Sequence, residues 1–284
     1  MKNKLIYLLV GVIFSGFTAF AQDETSAEDT VDTDALKPKA GDIGIGVSAI
    51  PYLNYLGNFF GKEDDNDLNL GAQTLYFKYF LTDASAVRAA LYINNSSSTT
   101  NAYSQDDSAL ATDPTSTAQV EDSRKINSNN MSLTVGYEMR KDRNRFAFLY
   151  GANVGYGFYS YKQEYSYGNP ITALNPNPSN NFDDSSVDGR LLNSDNGITH
   201  SVSVGLFAGI EYFIAKKFSV GADFSLAYGH SWGSQADASY EQWDGTQVYK
   251  YDRPSSPGSS SSNLRTNQYS SSTAAGTIYV LFYF

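Results

Sequence analysis

From Gly41 onward, apolar and polar positions alternate along the chain with a period of two. In SLTVGYEMR, Leu133, Val135, Tyr137 and Met139 stand opposite Ser132, Thr134, Gly136, Glu138 and Arg140. The run SVSVGLFAGIEYFI sets Val202, Val204, Leu206, Ala208, Ile210, Tyr212 and Ile214 against Ser201, Ser203, Gly205, Gly209 and Glu211. FSVGADFSLAY repeats the pattern, with Phe218, Val220, Ala222, Phe224, Leu226 and Tyr228 against Ser219, Gly221, Asp223 and Ser225. This alternation predicts β-strands with one apolar face. Eight runs follow it: 42–55, 70–82, 85–95, 130–141, 145–160, 199–214, 218–232 and 270–284.

The connections decide how these strands assemble. Tight turns at Asp83-Ala84, Lys141 to Asn144 and Ala215 to Lys217 alternate with long connections over 56–69, 96–129, 161–198 and 233–269, which are rich in Ser, Asn, Asp, Gly and Pro. This predicts an all-β fold: an eight-stranded antiparallel up-and-down transmembrane β-barrel with long extracellular loops and short periplasmic turns. An open sheet edge in hydrocarbon leaves N–H and C=O groups unpaired at several kcal/mol each, so the sheet must close. A soluble sandwich or lipocalin-like barrel also alternates, but it turns its apolar face inward. Here the face opposite the aliphatic one is mostly Gly, Ser, Thr and Ala, which suits the lining of a narrow wet interior better than a dry core.

The amino-terminal residues add an export signal. Lys2 and Lys4 precede an apolar run from Leu5 to Phe14, and Ala19-Phe20-Ala21 supplies the small-x-small pattern of a cleavage site, so Ala19 and Ala21 mark a leader over 1–21. Its apolar core is too short to span a bilayer. Residues 22–40, QDETSAEDTVDTDALKPKA, are acidic and carry almost nothing to bury, which predicts a disordered periplasmic segment ahead of a barrel over 41–284. Loss of Lys2 and Lys4 takes the formal charge from −10 to −12, which disfavours nucleic acid as a partner. With no cysteine, disulfides, thiol nucleophiles and zinc-thiolate sites are excluded.

The closing run IYVLFYF puts Ile278, Val280, Phe282 and Phe284 on one face and Thr277, Tyr279, Leu281 and Tyr283 on the other. A terminal Phe preceded by apolar residues at every second position resembles the assembly signal of Gram-negative outer-membrane barrels. Leader, eight strands, loop asymmetry and this terminus together resemble the small barrels typified by outer-membrane proteins A and X, and the Tyr- and Asn-rich loops resemble Bacteroidetes-type barrels. The resemblance implies an integral protein of the cell outer membrane, with outer-membrane lipid, lipopolysaccharide, the barrel-assembly machinery and periplasmic chaperones as partners. Unlike outer-membrane protein A, this sequence shows no peptidoglycan-binding domain after the barrel.

Candidate chemistry lies on the inward parity. Asp42, Lys78, Arg88, Glu138, Arg140, Glu211 and Asp223 all fall close to the tight-turn end and are expected to form one charged layer in the lumen. Four acids and three bases in a narrow interior favour mutual pairing. The first reading is a structural network that plugs the barrel, and the second is a gate whose ion pairs exchange and pass small ions, as in outer-membrane protein A. Above that layer, Ser48, Thr74, Asn94, Ser132, Asn153, Gly155, Gly157, Ser203, Ser225 and Thr277 predict a small wet vestibule, since eight strands are too few for an open porin channel. Aromatic residues at strand ends, Phe146, Phe148, Tyr212, Phe218 and Phe282 on one side and Tyr55, Tyr156, Tyr228 and Trp232 on the other, read as interfacial girdles.

His200 and His230 are the only histidines and both fall on outward parity, away from any nucleophile or carboxylate in the lumen, so no enzyme activity and no cofactor or metal is expected. A barrel enzyme or a small-ligand binder using the outer vestibule is the third reading. The loops are acidic, with KEDDND at 62–67 and Asp183-Asp184, and they are the natural site for an extracellular ligand. YEQWDGTQVYKY, at 240–251, carries an Asp-Gly turn between alternating residues and predicts a hairpin above the membrane. Asp29-Thr30-Val31 and Asp107-Ser108-Ala109 resemble the O-glycosylation sequon of Bacteroidetes proteins.

Overall fold

A computed structural model describes residues 33–54, 72–182, 189–266 and 277–284. Contacts divide the chain into residues 1–34, of which 33 and 34 alone are described, and residues 35–284, which hold the whole sheet. The strands are β1 (Ile43–Ser48), β2 (Ala72–Thr82), β3 (Ser85–Gln105), β4 (Gln119–Arg143), β5 (Phe146–Ser166), β6 (Arg190–Ala215), β7 (Phe218–Gly233), β8 (Ala236–Trp243), β9 (Val248–Ser256), β10 (Ser260–Thr266) and β11 (Thr277–Tyr283), with a short helix, α1 (Asp107–Thr112), between β3 and β4 and a 3-10 turn at Thr33–Leu36.

Eight of these close into a ring. Antiparallel ladders join β1 through β7 in sequence order, β7 pairs with β11, and β11 returns to β1 through Gly44↔Tyr283 to Ser48↔Tyr279. The seam extends to Phe284, which exchanges backbone hydrogen bonds of 3.1 and 2.9 Å with Ile43. The tight turns are two residues each, at 83–84, 144–145 and 216–217, with Asn144 (φ 53°) and Lys217 (φ 63°) in the left-handed region that so short a reversal requires.

Side-chain parity follows the sequence pattern through the membrane crossing. Ile45, Phe77, Val135, Tyr150, Val154, Val204, Leu206, Phe224 and Phe282 point outward and are exposed, which in water would be an untenable apolar surface and in a bilayer is a lipid-facing belt. No helix among the described residues is long and apolar enough to cross a membrane.

The structure departs from the sequence reading above the belt. The connection at 96–129 is largely β-structure and that at 161–198 is β-structure at both ends: β3 and β4 stay paired out to Gln105↔Gln119, and β5 and β6 out to Glu164↔Asn193. Apolar alternation fades there because the ribbon stands in water, where backbone pairing persists without an apolar face. The connection over 233–269 holds three additional strands: β8 pairs with the outer part of β6, β9 with β8, and β10 with the outer part of β7. The β8–β9 hairpin is the one expected from its Asp-Gly turn, with Gly245 at φ 98° and Asp244 accepting from the backbone of Thr246 and Gln247.

One strand end also shifts. The first strand, expected to reach residue 55, stops at Ser48 and a helical turn takes over at 50–54, since Pro51 has no N–H to give a ladder and fits the first turn of a helix. In the last strand only Thr277–Tyr283 is described as β, and 270–276 lies outside the described residues, as do 56–69, Tyr55 and the leader with Ala19 and Ala21.

The segment expected to be disordered through Ala40 is ordered where it can be seen near the barrel. Lys217 donates its N–H to the Leu36 carbonyl at 3.5 Å, Lys37 lies 3.9 Å from Asp142, and the Ala40 N–H reaches Asp83 at 2.8 Å. Residues 36–40 are thus tied to all three tight-turn hairpins, and Pro38 is buried. Polar partners at the turns hold the stretch together with Leu36, which packs on the buried cluster inside the barrel.

Because faces are set by parity, Val204→Arg, on the lipid side of mid-β6, should cost about 2 to 4 kcal/mol of stability. Ser203→Arg, on the lumen side, should cost much less. Urea titration of the barrel folded in lipid vesicles measures both, and equal costs would mean the faces are reversed.

Candidate functional site

The lumen is built by pairing large inward side chains with glycines. Lys78 and Tyr283 both face Gly44, Arg88 faces Gly136, Glu211 and Tyr279 both face Gly221, Asp223 faces Gly209, and Phe207 faces Gly151. A Cβ on Gly221 would come within 2.3 Å of the Tyr279 ring, and one on Gly44 within 2.7 Å of the Tyr283 ring. Glycine at these positions is therefore space for a neighbour's side chain.

Five of the seven expected lumen charges meet in one chain of contacts. Lys78 Nζ donates to Glu138 Oε1 and Glu211 Oε2, both at 2.9 Å. Arg88 Nη1 lies 3.5 Å from Glu138 Oε2, and its Nη2 donates to Asp223 Oδ2 at 2.6 Å. Hydroxyls close the two ends: Ser219 and Tyr283 donate to Glu211, and Thr277 donates to Asp223. Glu138 and Glu211 are 1% and 0% exposed, so these are charges taken out of water, which persist only with partners of opposite sign and full hydrogen bonding.

The other two sit elsewhere. Arg140 is inward and buried but lies two residues nearer the turn, where its Nε and Nη2 meet Asp142 at 2.9 Å and its guanidinium is flanked by the Phe80 and Phe213 rings at 5.2 and 5.3 Å. Asp42 precedes β1, and its carboxylate accepts the Lys39 N–H at 2.9 Å. Ile278, Val280, Phe282 and Phe284 are on the outward face of the closing strand.

Reading the inner face as small residues missed the aromatic filling of the tight-turn half. Tyr76, Phe80, Leu149, Phe213, Tyr279, Leu281 and Tyr283 form a buried cluster around the ion pairs, against which Leu36 packs. The available signal was their inward parity; the Gly-rich partner strands concealed how much volume they fill. Above this half is a cavity of about 40 Å³, lined by Tyr76, Arg88, Thr134, Asn153, Phe207, Asp223, Ser225 and Thr277 among others, with room for roughly three waters.

Both histidines face outward at the outer rim of the belt. His200 Nδ1 is 2.8 Å from the Tyr156 hydroxyl, and both imidazoles stack against Trp232 at 5.7 and 5.8 Å. Among the described residues no group of three or more His, Asp or Glu side chains is placed to hold a metal ion.

At the far end of the ribbon, residues 167–182 fold back over the β3–β4 tip. Asp122, fully buried, accepts from the Gly168 and Asn181 N–H groups at 2.9 and 3.0 Å. Asn169 reaches the Gln105 and Ser179 carbonyls, and Arg190 ties Glu241 to the Asn169 carbonyl while lying over the Tyr167 ring. Asp107 accepts from Asn175 and from the Ser179 N–H at 2.6 and 2.8 Å. Partial burial works to raise the Asp107 carboxyl, but the Ser179 and Asn175 donors outweigh it and hold it below the usual carboxylate range. Ser108, of the expected glycosylation triplet, is exposed on α1; Asp29-Thr30-Val31 lies outside the described residues.

Lys78→Met leaves Glu138 and Glu211 each without the cation that contacts it at 2.9 Å, so it should destabilise the barrel by about 3 to 5 kcal/mol, read as a lowered urea midpoint of the vesicle-folded protein. Because the Asp107 carboxyl is depressed in the folded state, its contribution to holding the 167–182 loop is complete above about pH 4 and is lost as pH falls through its lowered value. Amide NMR shifts of Ser179 and Asn175 should be flat from pH 7 to about pH 4 and move only below.

No protein-family model matches the chain, and no curated protein matches it. Among solved structures, the chain is similar to Ail, the attachment invasion locus protein of Yersinia pestis, at 12% identity and a TM-score of 0.31, over 86% of this chain and 99% of that one. It is also similar to the outer membrane protein OprG from Pseudomonas aeruginosa, at 12% identity and a TM-score of 0.34, over 88% and 98% of the two chains. The superposition is loose in both cases, and the eight-stranded transmembrane barrel rests on its own ring of hydrogen bonds and its lipid-facing belt.

Proposed function

We propose that this protein is a non-enzymatic barrel of the Gram-negative outer membrane whose lumen is plugged and whose work is done by the β-structure it holds above the surface. The observation that carries this is the packing of the tight-turn half, where the Lys78 and Arg88 ion-pair chain and the Phe80, Phe213, Tyr279 and Tyr283 rings are buried together. An ion crossing there would have to break charge pairs in a low-dielectric interior and displace packed rings. In this reading the short turns and residues 22–40 face the periplasm, the leader over 1–21 is removed, and the outward row Ile278, Val280, Phe282 and Phe284 is read by the barrel-assembly machinery after transit with chaperones. Outer-membrane lipid and lipopolysaccharide surround the belt, and an extracellular ligand is taken by the ribbon.

A second reading, a narrow gated pore, is favoured by one feature. Glu138 contacts both Lys78 and Arg88, at 2.9 and 3.5 Å, so an exchange of partners needs only a small movement. A third, a small-ligand binder in the vestibule, rests on the roughly 40 Å³ cavity, which is too small for more than a few atoms.

Single-channel recording of the refolded protein in a planar bilayer separates the first two. The plugged barrel gives no discrete openings while remaining heat-modifiable on gels. Openings that change when Lys78 and Glu138 are exchanged would replace the plug with a gate.

A further inference from the structure

The outermost part of the ribbon combines an unusual exposure with unusual fixation. Leu174 is 99% exposed at the tip of a tight turn closed by reciprocal backbone hydrogen bonds between Thr172 and Asn175, at 3.0 and 3.2 Å. A singly exposed leucine is ordinary on a protein surface. This one is carried by a loop fastened through Asp107, Asp122, Asn169 and buried Ile171, and stiffened by Pro170, Pro176 and Pro178. Leu110, 40% exposed, lies three residues after Asp107 on α1 and so shares the helix face that grips Asn175, the neighbour of Leu174.

The segments that carry these two leucines are acidic. Residues 101–123 and 167–182 contain five carboxylates, of which Asp122 is buried, and no lysine or arginine; the arginines that touch the loop, Arg124 and Arg190, lie over its Phe182 and Tyr167 rings. An apolar anchor that needs no ordering when it binds loses little entropy, which is the property of interface hot spots. The acidic surround selects the complement, since cationic groups would be attracted and an anionic surface repelled.

We infer that Leu174 and Leu110 form a preorganised apolar knob in an acidic surround, which docks a polypeptide presenting leucine-sized apolar contacts flanked by lysine or arginine. The inference rests on the reading of the ribbon as the working, outward part of the protein, and it names the class of partner that part accepts.

The test uses the full chain folded in phosphatidylcholine nanodiscs and a fluorescein-labelled amphipathic helix of lysine and leucine, with a glutamate and leucine helix of the same pattern as its control. Fluorescence anisotropy should show saturable binding of the lysine peptide, weakened by salt, and at least tenfold weaker binding of the glutamate peptide. Leu174→Ser and Leu110→Ser should each weaken the lysine peptide at least fivefold. Both positions are exposed, and retained heat-modifiability checks that the barrel is intact. Equal binding of the two peptides, or a Leu174→Ser variant within twofold of the parent, would overturn the proposal. Leu174-dependent capture of phosphatidylcholine vesicles would assign the knob to an opposing membrane and overturn it as well. Channel openings in the bilayer experiment would sink the plugged-lumen reading and leave this one standing, whereas failure of the peptide series sinks this one alone.

Discussion

Inside hydrocarbon a backbone N–H or C=O has no water to turn to, and that constraint organises everything else in this molecule. A sheet that crosses a membrane must pair its last strand with its first. The seam between β1 and β11 meets the requirement with short strands, five paired positions from Gly44 to Ser48, and backbone bonds between Ile43 and Phe284 beyond them. Closure with eight strands makes the barrel narrow. Narrowness then decides what the interior can be, because side chains arriving from opposite walls compete for the same volume.

The chain resolves that competition by alternation between strands. Where one strand sends a long side chain inward, its neighbour offers glycine, as Gly44 does for Lys78 and Tyr283 and Gly221 does for Glu211 and Tyr279. The space so created is filled with two kinds of matter, rings near the turns and charges just above them. Each carboxylate of the lumen network has a cation or hydroxyl against it, and Glu138 is held by two cations. This is what makes the tight-turn half a packed interior, with a small cavity beyond it at Arg88 and Asp223.

Above the belt the constraint is lifted and the same strands behave differently. Water satisfies the open edges, so β3 to β6 continue without an apolar face and β8 and β9 extend the sheet sideways. Stiffness there comes from polar side chains aimed at backbone, with Asp122, Asn169 and Asp107 each fastening two or more points of the 167–182 loop. An exposed leucine at its tip is held where a mobile loop would have let it collapse.

Period-two alternation, the tight-turn signals and the long polar connections were enough to establish the barrel, its ring of eight strands and the apolar face turned to lipid. These follow from the sequence because parity in a strand is local and the belt demands an apolar residue at every second position. The β8–β9 hairpin was legible for the same reason, through its Asp-Gly turn. Tertiary structure alone decided which charges meet. Arg140 turned to Asp142 and the rings of Phe80 and Phe213, because reach and height within the barrel depend on stagger between strands that are far apart in sequence, while Asp42 took the nearby Lys39 N–H. It alone decided that the polar connections are β-ribbon, since in water strand pairing needs no apolar signature. It also decided that residues 36–40 are fastened to the turns, because the partners that order them, Asp83, Asp142 and Lys217, lie more than 40 residues away along the chain.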